Sequence, residues 1–111
     1  MTLIRNCFFA LSLTALLPAA NAQIDADAAK ALAEKHLCLA CHKIDEKLVG
    51  PAYRDVAKKY QGVAGAQDTL IAKVKKGGKG VWGTVAMPPA ATASDEDLKT
   101  IVGWILSLPG R

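Results

Sequence analysis

Residues 38–42 read Cys38-Leu39-Ala40-Cys41-His42, and no other stretch restricts the fold as narrowly. The C-x-x-C-H pattern is the attachment signal for a c-type haem. Two thiols three positions apart lie on one side of a helical turn. From there both can add to the vinyl groups of one porphyrin. His42 follows at once, so its imidazole is placed to ligate the iron from one face. Two other readings use the same residues. A C-x-x-C pair in a βαβ setting is a thioredoxin-like dithiol, but no strand–helix alternation is visible here. Half of a structural zinc site would need two further ligands. Only Cys7 and His36 are on offer for that.

The chain opens with Arg5, the apolar run Cys7 to Leu17, Pro18 and then Ala20-Asn21-Ala22. A positive charge, a short apolar run and an A-x-A site make a secretory signal peptide. The uncharged stretch from Asn6 to Ile24 approaches the lower length of a membrane span. Pro18, Asn21 and the cleavage site favour removal instead. The expected organisation is a cleaved signal peptide, residues 1–22, followed by one domain, residues 23–111. The mature protein is then periplasmic, with no stable membrane insertion. Removing 22 of 111 residues leaves 89, a small domain of the kind that a covalent staple helps to hold. The formal net charge of +4 falls to +3 when Arg5 leaves. No basic run carries interleaved aromatics, which argues against a nucleic-acid partner. Export also places Cys38 and Cys41 in an oxidising compartment, where disulfide pairing competes with haem attachment.

Along the mature chain the pattern is helical. Asp25 to Leu37 is expected to form a first helix, capped by Asp25 or Asp27 and rich in alanine. Its small residues allow close approach by a partner helix. His36 is a candidate second metal ligand or a satisfied histidine, the latter favoured. Pro51 is expected to start a second helix, Ala52 to Tyr60. Asp68 to Lys76 reads as a third, with Leu70, Ile71 and Val74 on its apolar side and Gly77-Gly78 as its stop. Ser94-Asp95-Glu96-Asp97 opens the last, with Leu98, Ile101, Val102, Ile105 and Leu106 at helical spacing. The expected class is all-α: about four short helices wrapped around one haem, the first and last crossing.

Once Met1 is gone with the signal, Met87 is the one methionine left. It could fill a gap in the core. Pro88 and Pro89 suggest another role, because they fix their own φ angles and bias Met87 toward extended geometry. A thioether is a weak neutral ligand that needs such a scaffold. With the haem motif, this makes Met87 the candidate sixth iron ligand opposite His42.

The motifs Val49-Gly50-Pro51-Ala52-Tyr53, Gly80-Val81-Trp82-Gly83, Met87-Pro88-Pro89, Ser94-Asp95-Glu96 and Trp104 join the haem motif in one pattern. In that combination the mature chain resembles the small bacterial class I cytochromes c of the c551 (c8) type. The resemblance implies a small cytochrome c fold with one haem c attached through Cys38 and Cys41. It implies that the Pro51 carbonyl accepts a hydrogen bond from His42, fixing the tautomer and raising ligand basicity. It also implies that the Trp82 indole N–H reaches a haem propionate; the alternative for Trp82 is core packing. Trp104 is expected in the core. One departure stands out. Many relatives carry, after the two prolines, an asparagine bonded to the methionine sulfur; here the position is Ala90, and the following loop is one residue longer.

The function implied is that of a monomeric one-electron carrier rather than an enzyme. Iron held by His42 and Met87 has no open position for substrate, and thioether ligation favours the ferrous state. The partners implied are transient redox proteins, such as a bc1 complex as donor and a nitrite reductase or terminal oxidase as acceptor. Two rivals use the same residues: a haem enzyme or gas sensor with one open iron face, and a non-haem dithiol or zinc module. Lys73, Lys75, Lys76 and Lys79 either flank an exposed haem edge and steer an acidic partner, or complement a helix C-terminus.

Overall fold

Leu98, Ile101, Val102 and Ile105 fall on one stripe of a 3.6-residue helix, and Trp104 widens it. A helix with so wide an apolar face must be covered on several sides. In the computed structural model, which describes residues 15, 16 and 24–110, three other helices cover it. They are α1 (Ala26–Lys35), α2 (Tyr53–Tyr60) and α3 (Ala66–Lys76), all packed against α4 (Asp95–Ser107). Leu98 and Val102 are completely buried at the centre. Truncating such a buried leucine to alanine costs about 2–5 kcal/mol. Among the described residues the only strand-like pairing is an isolated bridge between Gly78 and Met87. No described helix is long and apolar enough to cross a membrane. The expected signal peptide and Cys7 lie outside the described residues, apart from Ala15 and Leu16.

α1 lies against α4 through Ala29 and Ala33, both fully buried. They are four apart on one face, and their small side chains let the helices approach closely. Asp25 is the cap: its carboxylate accepts from the backbone N–H groups of Asp27 and Ala28 at 3.0 and 3.1 Å. The helix stops at Lys35, two residues earlier than expected. Leu37 takes a left-handed conformation, φ 60°, the one non-glycine among the described residues to do so. That reversal costs roughly 1 kcal/mol for a residue with a Cβ. It turns the chain into a single 3-10 turn over Cys38–Ala40.

α2 begins at Tyr53, one residue later than expected, so Pro51 precedes the helix instead of opening it. No side chain caps it. Its first two N–H groups donate instead to the carbonyls of Lys43 (2.9 Å) and Ile44 (3.1 Å). The loop after the haem motif is therefore the cap of α2, and it satisfies donors that would otherwise be orphaned. α3 begins at Ala66, two residues earlier than expected, because Gly65 supplies the left-handed entry, φ 71°. Its face carries buried Leu70 and Ile71, with Val74 partly buried.

α4 is held at its first turn from two sides. Ser94 Oγ accepts from the N–H of Asp97 at 3.1 Å. Asp95 pairs with Lys75 of α3. Asp97 pairs with His36, the residue that caps the end of α1, at 2.8 Å, and with Lys35 at 3.7 Å. His36 is thus a satisfied histidine. Asp95 is held below the ordinary carboxylate value by its Lys75 bond, and Asp97 by its His36 bond. Both acids take up protons less readily folded than unfolded. The stability they supply is complete above about pH 3.8 and is lost as pH falls through their folded values. Denaturant midpoints should therefore drop on acidification below that value. In an Asp95→Asn/Asp97→Asn variant the drop should be shallower; an unchanged pH profile would show that these pairs contribute nothing.

Candidate haem site

The 3-10 turn brings Cys38, Cys41 and His42 to the edge of a cavity of about 770 Å³, well inside the range of small-molecule and cofactor sites. Its walls come from every part of the fold but α1. Val56 and Tyr60 come from α2, Leu70 and Val74 from α3, and Leu98, Ile101, Val102 and Ile105 from α4. The loop from Gly77 to Pro88, with Trp82 and Met87, closes it. A second hollow of about 630 Å³ lies between the α2–α3 turn and the C-terminus and includes neither cysteine, His42 nor Met87.

His42 is held on three sides. Its Nδ1 donates to the Pro51 carbonyl at 2.8 Å. A carbonyl only accepts, so Nδ1 carries the proton and Nε2 keeps its lone pair. One ring face stacks on Tyr53, centroids 5.0 Å apart and planes 20° apart. Gly50 lies so close that a Cβ there would sit 2.5 Å from His42 Cε1. Gly50 is itself pinned, its N–H donating to the Cys41 carbonyl at 2.8 Å. Tyr53 in turn meets Trp104 edge-on at 5.7 Å and is 4% exposed. Burial and the neighbouring Cys38 sulfur push its phenol far above the ordinary range, so it stays neutral. Burial also pushes the Cys38 thiol up, partly opposed by a hydrogen bond with Tyr53.

Cys38 and Cys41 are not joined in a disulfide. Among the described residues no group of three or more His, Cys, Asp and Glu could hold a metal ion. His36 is turned to Asp97, away from any cluster. The residues present do fit a haem: two unpaired thiols at the motif spacing, a histidine with its outer nitrogen free, and an apolar cavity beside them. Fold and site together define a small helical domain built around one c-type haem.

The chain belongs to the cytochrome c family, whose profile matches residues 26–109, and within it to the class I proteins of the c551 type. It is 54% identical over 77 residues to a cytochrome c-551 of Allochromatium vinosum, covering 69% of this chain and 82% of that one. It is 47% identical over 95 residues to a cytochrome c-552 of Nitrosomonas europaea, covering 86% and 88%. The crystal structure of Nitrosomonas europaea cytochrome c552 superposes with a TM-score of 0.69 at 45% identity, covering 70% of this chain and 96% of that one. The class 1 cytochrome MtoD of Sideroxydans lithotrophicus superposes at 0.65 with 39% identity, covering 77% and 97%. The cofactor is accordingly haem c, attached through Cys38 and Cys41, and the protein is an electron-transfer protein and not an enzyme.

The remaining site residues fall as follows. Pro51, Trp82 and Met87 line the same cavity as the haem motif. Trp82 is 42% exposed, and the Lys59 ammonium lies 5.5 Å from its ring centroid. Trp104 is buried in the core. Ala90 is half-buried, and its N–H donates to the Val74 carbonyl at 2.9 Å. Of the four lysines, Lys73, Lys76 and Lys79 line the cavity, whereas Lys75 turns to Asp95. Lys47 lines it as well. Sequence reasoning missed Gly50 and Tyr53 as the packing surfaces of His42. The adjacency of Gly50 to Pro51 was the available signal, because a glycine beside a functional residue often marks close approach.

Proposed function

We propose that this is an exported, periplasmic one-electron carrier whose iron is held by His42 and Met87. The observation that carries the reading is that His42 and Met87 line one cavity, each with its backbone or ring fixed in place. His42 is committed through Nδ1 to Pro51, which leaves Nε2 for the metal. Met87 is fixed by paired hydrogen bonds with Gly78. The haem would supply a single-electron couple, and His42 and Met87 would be the residues that hold its iron. The protein's part is to supply the nitrogen, supply the thioether and exclude solvent with the apolar walls from α2, α3 and α4. Trp82 lines the cavity; in this reading its indole N–H would donate to a haem carboxylate, and Lys59 adds positive charge beside its ring. Residues 1–22 act as the cleaved signal peptide, and residues 23–111 form the mature monomeric domain.

Two measurements on the wild-type protein test the ligation. The ferric form should show the weak long-wavelength band of sulfur-to-iron charge transfer. The ferrous form should resist carbon monoxide. A missing band together with ready carbon monoxide binding would make the protein an open-site haem protein.

The donor and acceptor are then transient redox proteins, of which a bc1 complex and a nitrite reductase or terminal oxidase are the expected kinds. Lys47, Lys73, Lys76 and Lys79 around the cavity favour a partner with an acidic face. Electron-transfer rates with such a partner should fall as salt rises. Lys73→Gln, Lys76→Gln and Lys79→Gln should each slow them, and Lys75→Gln should not. A flat salt profile would assign these lysines to the helix dipole alone.

A further inference from the structure

Gly77 caps the end of α3, its N–H donating to the Lys73 carbonyl at 2.7 Å. Its backbone, φ 68° and ψ −173°, lies where side chains are rarely tolerated. A Cβ at this position would sit 2.5 Å from the Met87 carbonyl oxygen, 2.8 Å from Pro89 N and 3.0 Å from Pro88 C. All three are backbone atoms, so no side chain can rotate away to make room. The next residue, Gly78, exchanges two hydrogen bonds with Met87, at 3.0 and 2.8 Å. Three residues on, Ala90 donates to Val74 in the last turns of α3. The segment from Met87 to Ala90 is therefore laid directly on the end of α3, backbone against backbone.

From this we infer that Gly77 is a positioning residue for the Met87 thioether. By carrying no side chain it sets the distance between α3 and the Met87–Pro89 backbone, and the two Gly78 bonds fix the register. The two prolines stiffen the segment, but stiffness alone does not place it; the contact with Gly77 does. The inference rests on Met87 being an iron ligand. A glycine needed only to end a helix would contribute stability and nothing to ligation.

Gly65 separates the two roles. It stands at the other end of α3 with φ 71°, and a Cβ there meets nothing within 4 Å. Gly65→Ala therefore brings left-handed strain without contact. In folded, haem-loaded Gly77→Ala the sulfur-to-iron band should fade, and the ferrous form should bind carbon monoxide at least about tenfold faster than wild type. Gly65→Ala should lose some stability and keep both properties of the wild type. Gly77→Ala with the band and the carbon monoxide resistance intact would overturn the inference.

Amide hydrogen exchange on the wild-type protein needs no variant to fold. The Gly78 and Met87 amides should exchange as slowly as those of Leu70 and Ile71 in α3. Exchange at the rate of exposed loop amides would overturn the grip itself. A wild type that lacks the band and binds carbon monoxide would remove Met87 from the iron, and the exchange result would still report whether the grip exists.

Discussion

Met87→Ala protein will bind carbon monoxide readily in the ferrous state, and its midpoint potential will fall. The substitution removes a soft, neutral donor that favours ferrous iron. Water or a nearby lysine then competes for the position; Lys73, Lys76 and Lys79 border the same cavity. Both replacements are harder donors and favour the ferric state. Each factor of ten in that preference is about 59 mV for a one-electron couple. The expected fall exceeds one such step. Peroxide turnover should appear with it, because a face of the iron has opened. Replacing Pro88 and Pro89 should give a graded version, loosening the segment while keeping the sulfur. A Met87→Ala protein that matches wild type in potential and in carbon monoxide binding would take Met87 out of the site.

Much of the site is legible in the sequence. Five consecutive residues name the cofactor, and the one remaining methionine, before two prolines, is the candidate for the second ligand. The helical class followed from the stripe on α4, because helical spacing of Leu98, Ile101, Val102 and Ile105 survives any choice of neighbours. The boundaries were less legible, for identifiable reasons. α1 stops at Lys35 because Leu37 turns left-handed, a conformation that sequence reasoning reserves for glycine and asparagine. α2 starts at Tyr53 because its N–H groups are satisfied by carbonyls of Lys43 and Ile44. That cap is tertiary and leaves no mark in local composition. In sequence the lysine cluster reads as one group, yet Asp95, twenty residues away along the chain, draws Lys75 out of it. What local pattern misses throughout is contact across the fold, above all where a missing side chain creates it.

Gly50 is the clearest such case, and Gly50→Ala should be among the most damaging single-methyl additions in the chain. The new Cβ would lie 2.5 Å from His42 Cε1, 2.9 Å from Nδ1 and 3.0 Å from Nε2. Neither side can yield cheaply. The ring is stacked on Tyr53 and bonded to the carbonyl of Pro51, the very next residue. The Gly50 backbone is tied by its own N–H to Cys41 and by its carbonyl to the N–H of Leu48. Overpacking of this kind costs about 1–3 kcal/mol, and loss of the His42–Pro51 bond adds roughly 1 kcal/mol. Unfolding free energy should therefore fall by about 2–4 kcal/mol. Gly103→Ala is the contrasting control. Gly103 lies inside α4, and a Cβ there meets its nearest neighbour, Gln67 Nε2, at an ordinary 3.4 Å. Alanine should stabilise the helix there by roughly 0.5–1 kcal/mol. The redox readout separates Gly50→Ala from the Met87 variant as well. The Pro51 bond raises the basicity of His42, which favours ferric iron. Weakening it should move the midpoint potential upward, opposite in sign to Met87→Ala. If Gly50→Ala is as stable as wild type, or shifts the potential downward, the ring is not held as the geometry of Gly50, Pro51 and Tyr53 requires.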